Sequence, residues 1–272
     1  MSKAFKSRRS ILYVPADKPR ALEKARGLDA DCIILDLEDA VAPEAKALAR
    51  TAACAAVGDF SPREVIVRIN ALSSPWGRKD LAAVKAARPD AIALPKLKDA
   101  EDVIAARALT DGIALWAMIE TPRSVLNAAE IAGAGVAALV LGSNDLLKDM
   151  GARHMPDRVN LQAAMSLCVM AARAAGIAVL DGVHNDLNDM DALAVACRQA
   201  RDFGFDGKTL IHPGQIALCN AAFTPSPEEI AAARRVVEVF AANPQAGVLM
   251  LEGRMVERLD LKIAVRTLSR AT

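Results

Sequence analysis

Short aliphatic runs recur along the chain, and each is separated from the next by a longer alanine-rich, charged segment. The runs are SILYV (10–14), CIILDL (32–37), EVIVRI (64–69), DAIALP (90–95), ALWAMI (114–119), AALVLG (137–142), IAVLDG (177–182) and GKTLI (207–211). They are continuous and do not alternate with polar residues, the pattern of parallel strands covered on both faces. The segments between them, such as KPRALEKARGL, KDAEDVIAARAL and MDALAVACRQARDFG, repeat apolar residues at spacings of three and four and predict amphipathic helices. Gly27, Gly176 and Gly204 follow three of these segments as C-caps.

Eight successive β–α units in 272 residues predict a closed (β/α)8 TIM barrel in preference to an open doubly wound sheet. The expected organisation is one barrel domain over 1–272, with 216–272 as a C-terminal helical extension. That extension holds the helix SPEEIAAARRVVEVFAAN, with Ser226 as N-cap and Glu229 three residues on, and a shorter helical stretch near 258–270. The sequence GAGVAA (133–138) matches G-x-G-x-x-A. It precedes its strand, whereas a dinucleotide fingerprint needs its glycines at a strand-to-helix turn, so no such site is expected.

Composition narrows the function class. Thirty-four basic and 33 acidic residues leave a net charge of +1, and 3% of residues are aromatic, so neither a phosphate-tracking field nor stacking platforms for nucleic acid are present. The five cysteines are dispersed, with no CxxC pair, and predict reduced core thiols of a cytoplasmic protein. The basic N-terminus is followed only by Ile11–Val14 before Pro15, too little for a secretory segment. The longest apolar stretch, IAGAGVAALVLG, is too short to span a membrane. A soluble protein with no membrane or nucleic-acid partner is expected.

Candidate chemistry sits where the strands end. In a barrel of this type the C-terminal strand ends and the loops after them form the active face. Taken in order, those ends carry Asp36, Glu38 and Asp39; Arg68 and Asn70; Lys96; Glu120; Ser143, Asn144 and Asp145; Asp181; and Lys208 with His212. Arg68, Glu120 and Asp145 follow closely on apolar runs, where unpaired charge is expensive, so they need partners. A cation held by Glu120 and Asp145 satisfies both, and two carboxylates completed by water and substrate oxygens suit an octahedral Mg2+. No His/Cys cluster suits zinc instead. Such a metal, acting as a Lewis acid on a 2-oxo acid with Arg68 bridging carboxylate or alkoxide charge, describes a site that makes or breaks carbon–carbon bonds.

The runs RSILYVPADKPRALEKA, DCIILDLEDAV, VIVRIN, ALPKL, MIETPRSVLNAAEIA, LVLGSNDLLKDMG and GFDGKTLIHPGQI, in this order over about residues 9–220, resemble the citrate lyase β-subunit-like CoA ester lyases of the HpcH/HpaI aldolase family. The wider superfamily includes malyl-CoA and citramalyl-CoA lyases. The resemblance implies a (β/α)8 barrel, usually a homotrimer or a dimer of trimers, that cleaves or forms 3-hydroxyacyl-CoA thioesters with Mg2+. It implies Glu120 and Asp145 as metal carboxylates and Arg68 as the residue that binds the oxo acid. Asp36, Glu38 and Asp39 would belong to the same pocket, beside basic neighbours such as Lys96. For the CoA phosphates, the candidates are Lys18, Arg20 and Lys24, on a helix that opens after the first strand, with Arg9 behind them.

Two departures from the family pattern stand out. GSNDL places Asn144 where many relatives have a second acid, and His184 stands where a tyrosine is common. Longer relatives carry a C-terminal lid whose acidic residue serves a neighbouring subunit; Glu252, Glu257 and Asp260 fall in that region here, with no role assigned. The expected reaction is retro-Claisen or retro-aldol cleavage to an acyl-CoA and a 2-oxo acid. The alternatives are thioester hydrolysis by the same metal site, or a β-subunit-like component of a citrate lyase complex with an acyl-carrier partner.

Overall fold

Each of the eight apolar runs becomes a strand in a computed structural model that describes residues 7–271. The strands are β1 (Ser10–Pro15), β2 (Cys32–Asp36), β3 (Glu64–Arg68), β4 (Ala91–Leu94), β5 (Ala114–Ile119), β6 (Ala138–Leu141), β7 (Ala178–Asp181) and β8 (Gly207–Leu210). Consecutive strands pair in parallel and β8 returns to β1, which closes the barrel. The expected (β/α)8 architecture is therefore the observed one, with helices between the strands.

Side-chain size explains how the interior fills. Ile11, Cys32, Ile34, Ile66, Trp116, Met118, Val140 and Leu180 belong to one buried cluster inside the barrel. Trp116 is the largest wholly buried side chain, and its neighbours in register on the adjacent strands are Ala93 and Ala138. Small residues on both sides leave room for the indole, the large-beside-small packing that barrel interiors require. The opposite faces of the strands, with Ile33, Leu35, Val65, Val67, Ile92 and Leu139, are equally buried. That two-sided burial is why the runs are continuous in sequence.

The N-terminal rim is tied by ion pairs. Arg8 donates to Glu64 at 2.7 and 2.9 Å and lies 5.2 Å from the Trp116 ring centroid. Arg9 pairs with Asp31 at 2.8 Å. This corrects the expectation that Arg9 stands behind the candidate CoA-binding residues Lys18, Arg20 and Lys24, because it precedes β1 and belongs to the rim opposite the strand C-termini. Helix ends follow the sequence signals in part: Gly176 and Gly204 adopt positive φ of 68° and 101°, whereas Gly27 caps its helix at φ −93°.

The chain separates into two compact units, Arg8–Asn220, which contains the barrel, and a second that includes residues 221–271. In the second, the helix Pro227–Ala242 starts with the expected Ser226–Glu229 capping box. An antiparallel hairpin follows, β9 (Val248–Leu251) with β10 (Arg254–Glu257), and then the helix Arg258–Ser269. The helical reading of this segment lacked the hairpin. Its turn, Glu252–Gly253, has both φ values positive, at 50° and 78°, the two-residue geometry that matches strand twist.

Barrel closure makes a test. A Cβ on Gly207 would lie 1.7 Å from the Arg8 carbonyl oxygen and 2.6 Å from that of Arg9. Gly207→Ala must therefore push β8 away from the chain entering β1, and it is expected to lower stability by about 2–3 kcal/mol, read as a drop in urea midpoint.

Candidate active site

Strand parity builds the site. On β2 and β3 the interior residues Ile34 and Ile66 are followed two positions later by Asp36 and Arg68, which are partners in register. Their side chains thus enter the C-terminal mouth together, as do Tyr13 above Ile11 and Glu120 above Met118. These residues line a cavity of about 320 Å³ with Asp39, Asn144 and Asp145.

Arg68 is the centre of one half. Its Nε and Nη2 donate to the two oxygens of Asp36, both at 2.7 Å, a bidentate pair in which both side chains are nearly or wholly buried. Asp36 also accepts from the backbone N–H of Glu38 and Ala40. Burial works against the Asp36 charge, but the Arg68 guanidinium and these hydrogen bonds overcome it and hold the carboxyl below its usual range. The third donor of Arg68, Nη1, faces Glu38 at 2.9 Å and the exposed Asp39 at 3.3 Å, and the guanidinium lies 4.7 Å from the Tyr13 ring centroid. The inner oxygen of Glu38, although 2.9 Å from Nη1, is buried without a hydrogen bond. Burial, opposed by Arg68 and reinforced by Glu120 and Asp39, carries the Glu38 carboxyl up to about 8. Glu38 therefore holds a proton at neutral pH.

The loop that delivers Glu38 and Asp39 is anchored by residues whose role the sequence did not disclose. Lys46 donates to the carbonyls of Leu37 and Glu38 at 2.9 and 2.7 Å, and Asn70 donates to Leu37 O at 2.9 Å while binding Asp80 at 2.6 Å. Asn70, expected at the rim, is thus a buried strut.

The other half gathers Glu120, Asp145 and Lys96. Glu120 is 1% exposed, and its Oε1 accepts the Lys96 backbone N–H at 2.7 Å. Gly142 makes this placement possible, since a Cβ there would lie 2.4 Å from the Glu120 Cβ and 2.7 Å from its Oε2. Asp145 rises from the helix Ser143–Asp149. The Lys96 ammonium forms a hydrogen-bonded ion pair with Asp145 and lies 3.4 Å from Glu120 Oε1. The two carboxylates therefore meet at one cationic position. Burial raises the Glu120 carboxyl, with Lys96 opposing the shift; burial of Lys96 is outweighed by Glu120 and Asp145, which hold its ammonium above the usual lysine value.

A divalent cation fits this donor set. Two carboxylates supply hard oxygen ligands and already contact a common positive charge, and the surrounding mouth is acidic. Among the described residues, no group of three or more His, Cys, Asp or Glu forms a complete ligand set, so water and substrate oxygens would supply the remaining positions.

Other candidates fall outside this cavity. Asp181 is wholly buried on the outer face of β7, bound by Lys208 at 2.6 Å and by Arg158 at 2.8 Å, so its expected place on the rim is replaced by a buried ion cluster between barrel and helices. Lys208 is likewise structural. Lys18, at the N-cap, and Arg20 and Lys24, on the helix Pro19–Arg26, are exposed, and Lys18 pairs with Asp17 at 2.7 Å; none of the three lines the cavity. Asn144 exchanges amide hydrogen bonds with Asn185 at 3.1 and 2.8 Å. Tyr13, Met118, Asn185 and Thr209 line the cavity without having been singled out in the sequence, although inward parity on β1, β5 and β8 marks three of them.

The Asp36–Arg68 pair sets an acid limit. Asp36→Asn leaves a buried guanidinium short of its partner and is expected to cost about 3–5 kcal/mol at neutral pH. Because the folded-state carboxyl titrates below its unfolded value, this contribution is complete above about pH 4 and is lost as the pH falls through the folded pKa. Urea unfolding of wild type and variant should therefore converge as the pH is lowered.

Known proteins place the chain in context. Residues 9–213 match the HpcH/HpaI aldolase/citrate lyase family. Over 268 residues the chain is 48% identical to a (3S)-malyl-CoA thioesterase of Cereibacter sphaeroides strain KD131, covering 97% of this chain and 94% of the relative. It is 35% identical over 283 residues to citrate lyase subunit beta of Escherichia coli K12, covering 98% and 94%. The crystal structure of CitE from Mycobacterium tuberculosis in complex with magnesium, acetoacetate and coenzyme A matches with a TM-score of 0.81 at 35% identity, over 96% of this chain and 97% of that one. The family match spans all eight strands, and with it the chain belongs to the HpcH/HpaI aldolase/citrate lyase family.

Proposed function

We propose that this family member is a Mg2+-dependent carbon–carbon lyase acting on a 3-hydroxyacyl-CoA thioester of the citryl-, malyl- or citramalyl-CoA type. It would give an acyl-CoA and a 2-oxo acid, or run the reverse condensation. The observation that carries this reading is the meeting of Glu120 and Asp145 at one cationic position, in a cavity whose wall contains Arg68. The relative solved with magnesium, acetoacetate and coenzyme A supports the metal, the CoA moiety and an oxo-acid ligand, there a 3-oxo acid, and a citrate lyase beta subunit from the same organism solved with oxaloacetate and magnesium supports a 2-oxo acid.

Glu120 and Asp145 are the proposed metal carboxylates, and Mg2+ held there supplies Lewis acidity toward the oxygen of the oxo-acid end. Asp36 fixes the plane of the Arg68 guanidinium through two hydrogen bonds, which leaves Nη1 to exchange Asp39 for a substrate carboxylate. In the cleavage direction the substrate's 3-hydroxyl loses its proton and its oxygen becomes the carbonyl of the oxo acid. The electron pair of the broken bond passes to the thioester as an enolate, whose carbon takes up one proton from solvent at the mouth in exchange for the one the hydroxyl releases there. Glu38, 2.9 Å from Arg68 and with its carboxyl pushed up by burial, is proposed as a further substrate contact. Lys96 is proposed as a further contact for substrate charge, and Lys18, Arg20 and Lys24 for the CoA phosphates, from a helix opening past the end of β1.

Thioester hydrolysis is the second reading, favoured by the 48% identity to a malyl-CoA thioesterase along nearly the whole chain. We place the enzyme in the cytoplasm as a homo-oligomer, a trimer or hexamer, with an acyl-carrier partner as the corollary of a citrate-lyase-like role. Supporting assembly, Val248, Met250, Met255, Leu259 and Ile263 are each more than half exposed. Among the described residues, no helix is long and apolar enough to cross a membrane.

Product analysis decides the chemistry. With malyl-CoA and Mg2+, carbon–carbon cleavage gives glyoxylate and acetyl-CoA with no free thiol, whereas hydrolysis gives malate and free CoA. Glu120→Gln is expected to reduce Mg2+-dependent turnover by about 100-fold or more. Unchanged turnover in that variant would remove the metal assignment.

A further inference from the structure

Lys96 occupies a place that strand parity does not explain. On β4 the interior positions are Ala91 and Ala93, so the inward series continues to Pro95 and passes over residue 96. The Lys96 backbone instead adopts φ +56°, a left-handed conformation that is costly for a residue with a side chain. That turn has two results. It aims the backbone N–H at Glu120 Oε1, and it sends the ammonium between Glu120 and Asp145. The side chain is one-third exposed (34%), and it also borders a second cleft of about 290 Å³ past Pro95 and Leu97.

The geometry points to Lys96 as a resident counter-cation, an internal competitor that holds the two carboxylates together until a divalent ion displaces its ammonium into the neighbouring cleft. The inference rests on the reading of Glu120 and Asp145 as the metal-holding pair. Two carboxylates converging without a cation repel one another, and a single ammonium relieves that repulsion while the site is empty of metal. A doubly charged ion competes for the same oxygens, so its entry must break the ion pair to Asp145 and the 3.4 Å contact to Glu120. The part of Lys96 that orients Glu120 is the backbone N–H, which stays in place when the ammonium leaves. Holding and releasing are thus divided between main chain and side chain of one residue. The released ammonium, still tethered at the mouth, becomes available to an anionic substrate only after the metal has bound.

The test is metal affinity of the full-length protein, stripped with chelator and titrated with Mg2+ and, for magnetic resonance, Mn2+. Lys96→Met keeps the backbone N–H and removes the competitor; it is expected to tighten Mg2+ and Mn2+ binding about tenfold. The metal-free variant should melt below wild type, and Mg2+ should raise its Tm by more than it raises that of wild type. Lys96→Arg keeps a cation and should show no tightening. Lys98→Met removes the same charge from an exposed neighbour and should change the affinity less than twofold. Glu120→Gln and Asp145→Asn report on the metal site itself and should each weaken binding. If those two weaken binding while Lys96→Met leaves it unchanged or weaker, the counter-cation role is overturned and the metal site stands. If neither acid variant weakens binding, both readings fall.

Discussion

Five carboxylates and two permanent cations share the mouth of this barrel, and most of the local structure is a response to that imbalance. Asp36, Glu38, Asp39, Glu120 and Asp145 gather around Arg68 and Lys96, with three of the carboxylates and Arg68 buried or nearly so. Charge in such surroundings is tolerated only when it is paired and hydrogen-bonded. Asp36 meets that condition with four donors. Glu38 does not, and it answers by retaining a proton. Glu120 and Asp145 rely on one ammonium between them. A surplus of hard anionic oxygen at one mouth is the condition under which a divalent cation binds well.

The barrel keeps this charged mouth apart from the structures that keep it closed. At the opposite rim, Arg8 and Arg9 are committed to Glu64 and Asp31, and Gly207 lets the entering chain pass against β8. On the outer face, Lys208, Arg158 and Asp181 form a buried cluster that links β7 and β8 to the loop before the helix Gln162–Ala175. Lys208 also donates to Gly182 O, and a Cβ on Gly182 would lie 2.6 Å from the Ser143 hydroxyl. The ends of β7 and β8 are in this way fixed beside the segment that carries Asp145.

Much of this was legible in the residue pattern because a strand has a period of two. Once Ile34 and Ile66 are interior, Asp36 and Arg68 must be interior as well, and the same parity carries Tyr13 and Glu120 inward. The residues misjudged are those for which the period fails or the opposite face matters. Asp181 ends its strand as Asp36 does, but it is one residue out of phase and pairs with Lys208 behind the sheet. Arg9 has the composition of a phosphate ligand and the position of a rim clamp. The β9–β10 hairpin escaped because its strands are largely exposed and pair only with each other, unlike the doubly covered barrel strands.

The sequence by itself determined the eight barrel strands, their order, the closed parallel barrel and the rim on which charge collects. Each of these follows from local hydrophobic periodicity, which a chain expresses before any distant contact forms. Tertiary structure decided which charges meet. Lys96 is 24 residues from Glu120 and 49 from Asp145, and a left-handed backbone turn brings them together. Arg68 faces Asp36 at the end of the neighbouring strand and Glu38 and Asp39 on the loop after it. Electrostatic partnership depends on distance through space and on local burial, and those quantities are set only when the barrel closes.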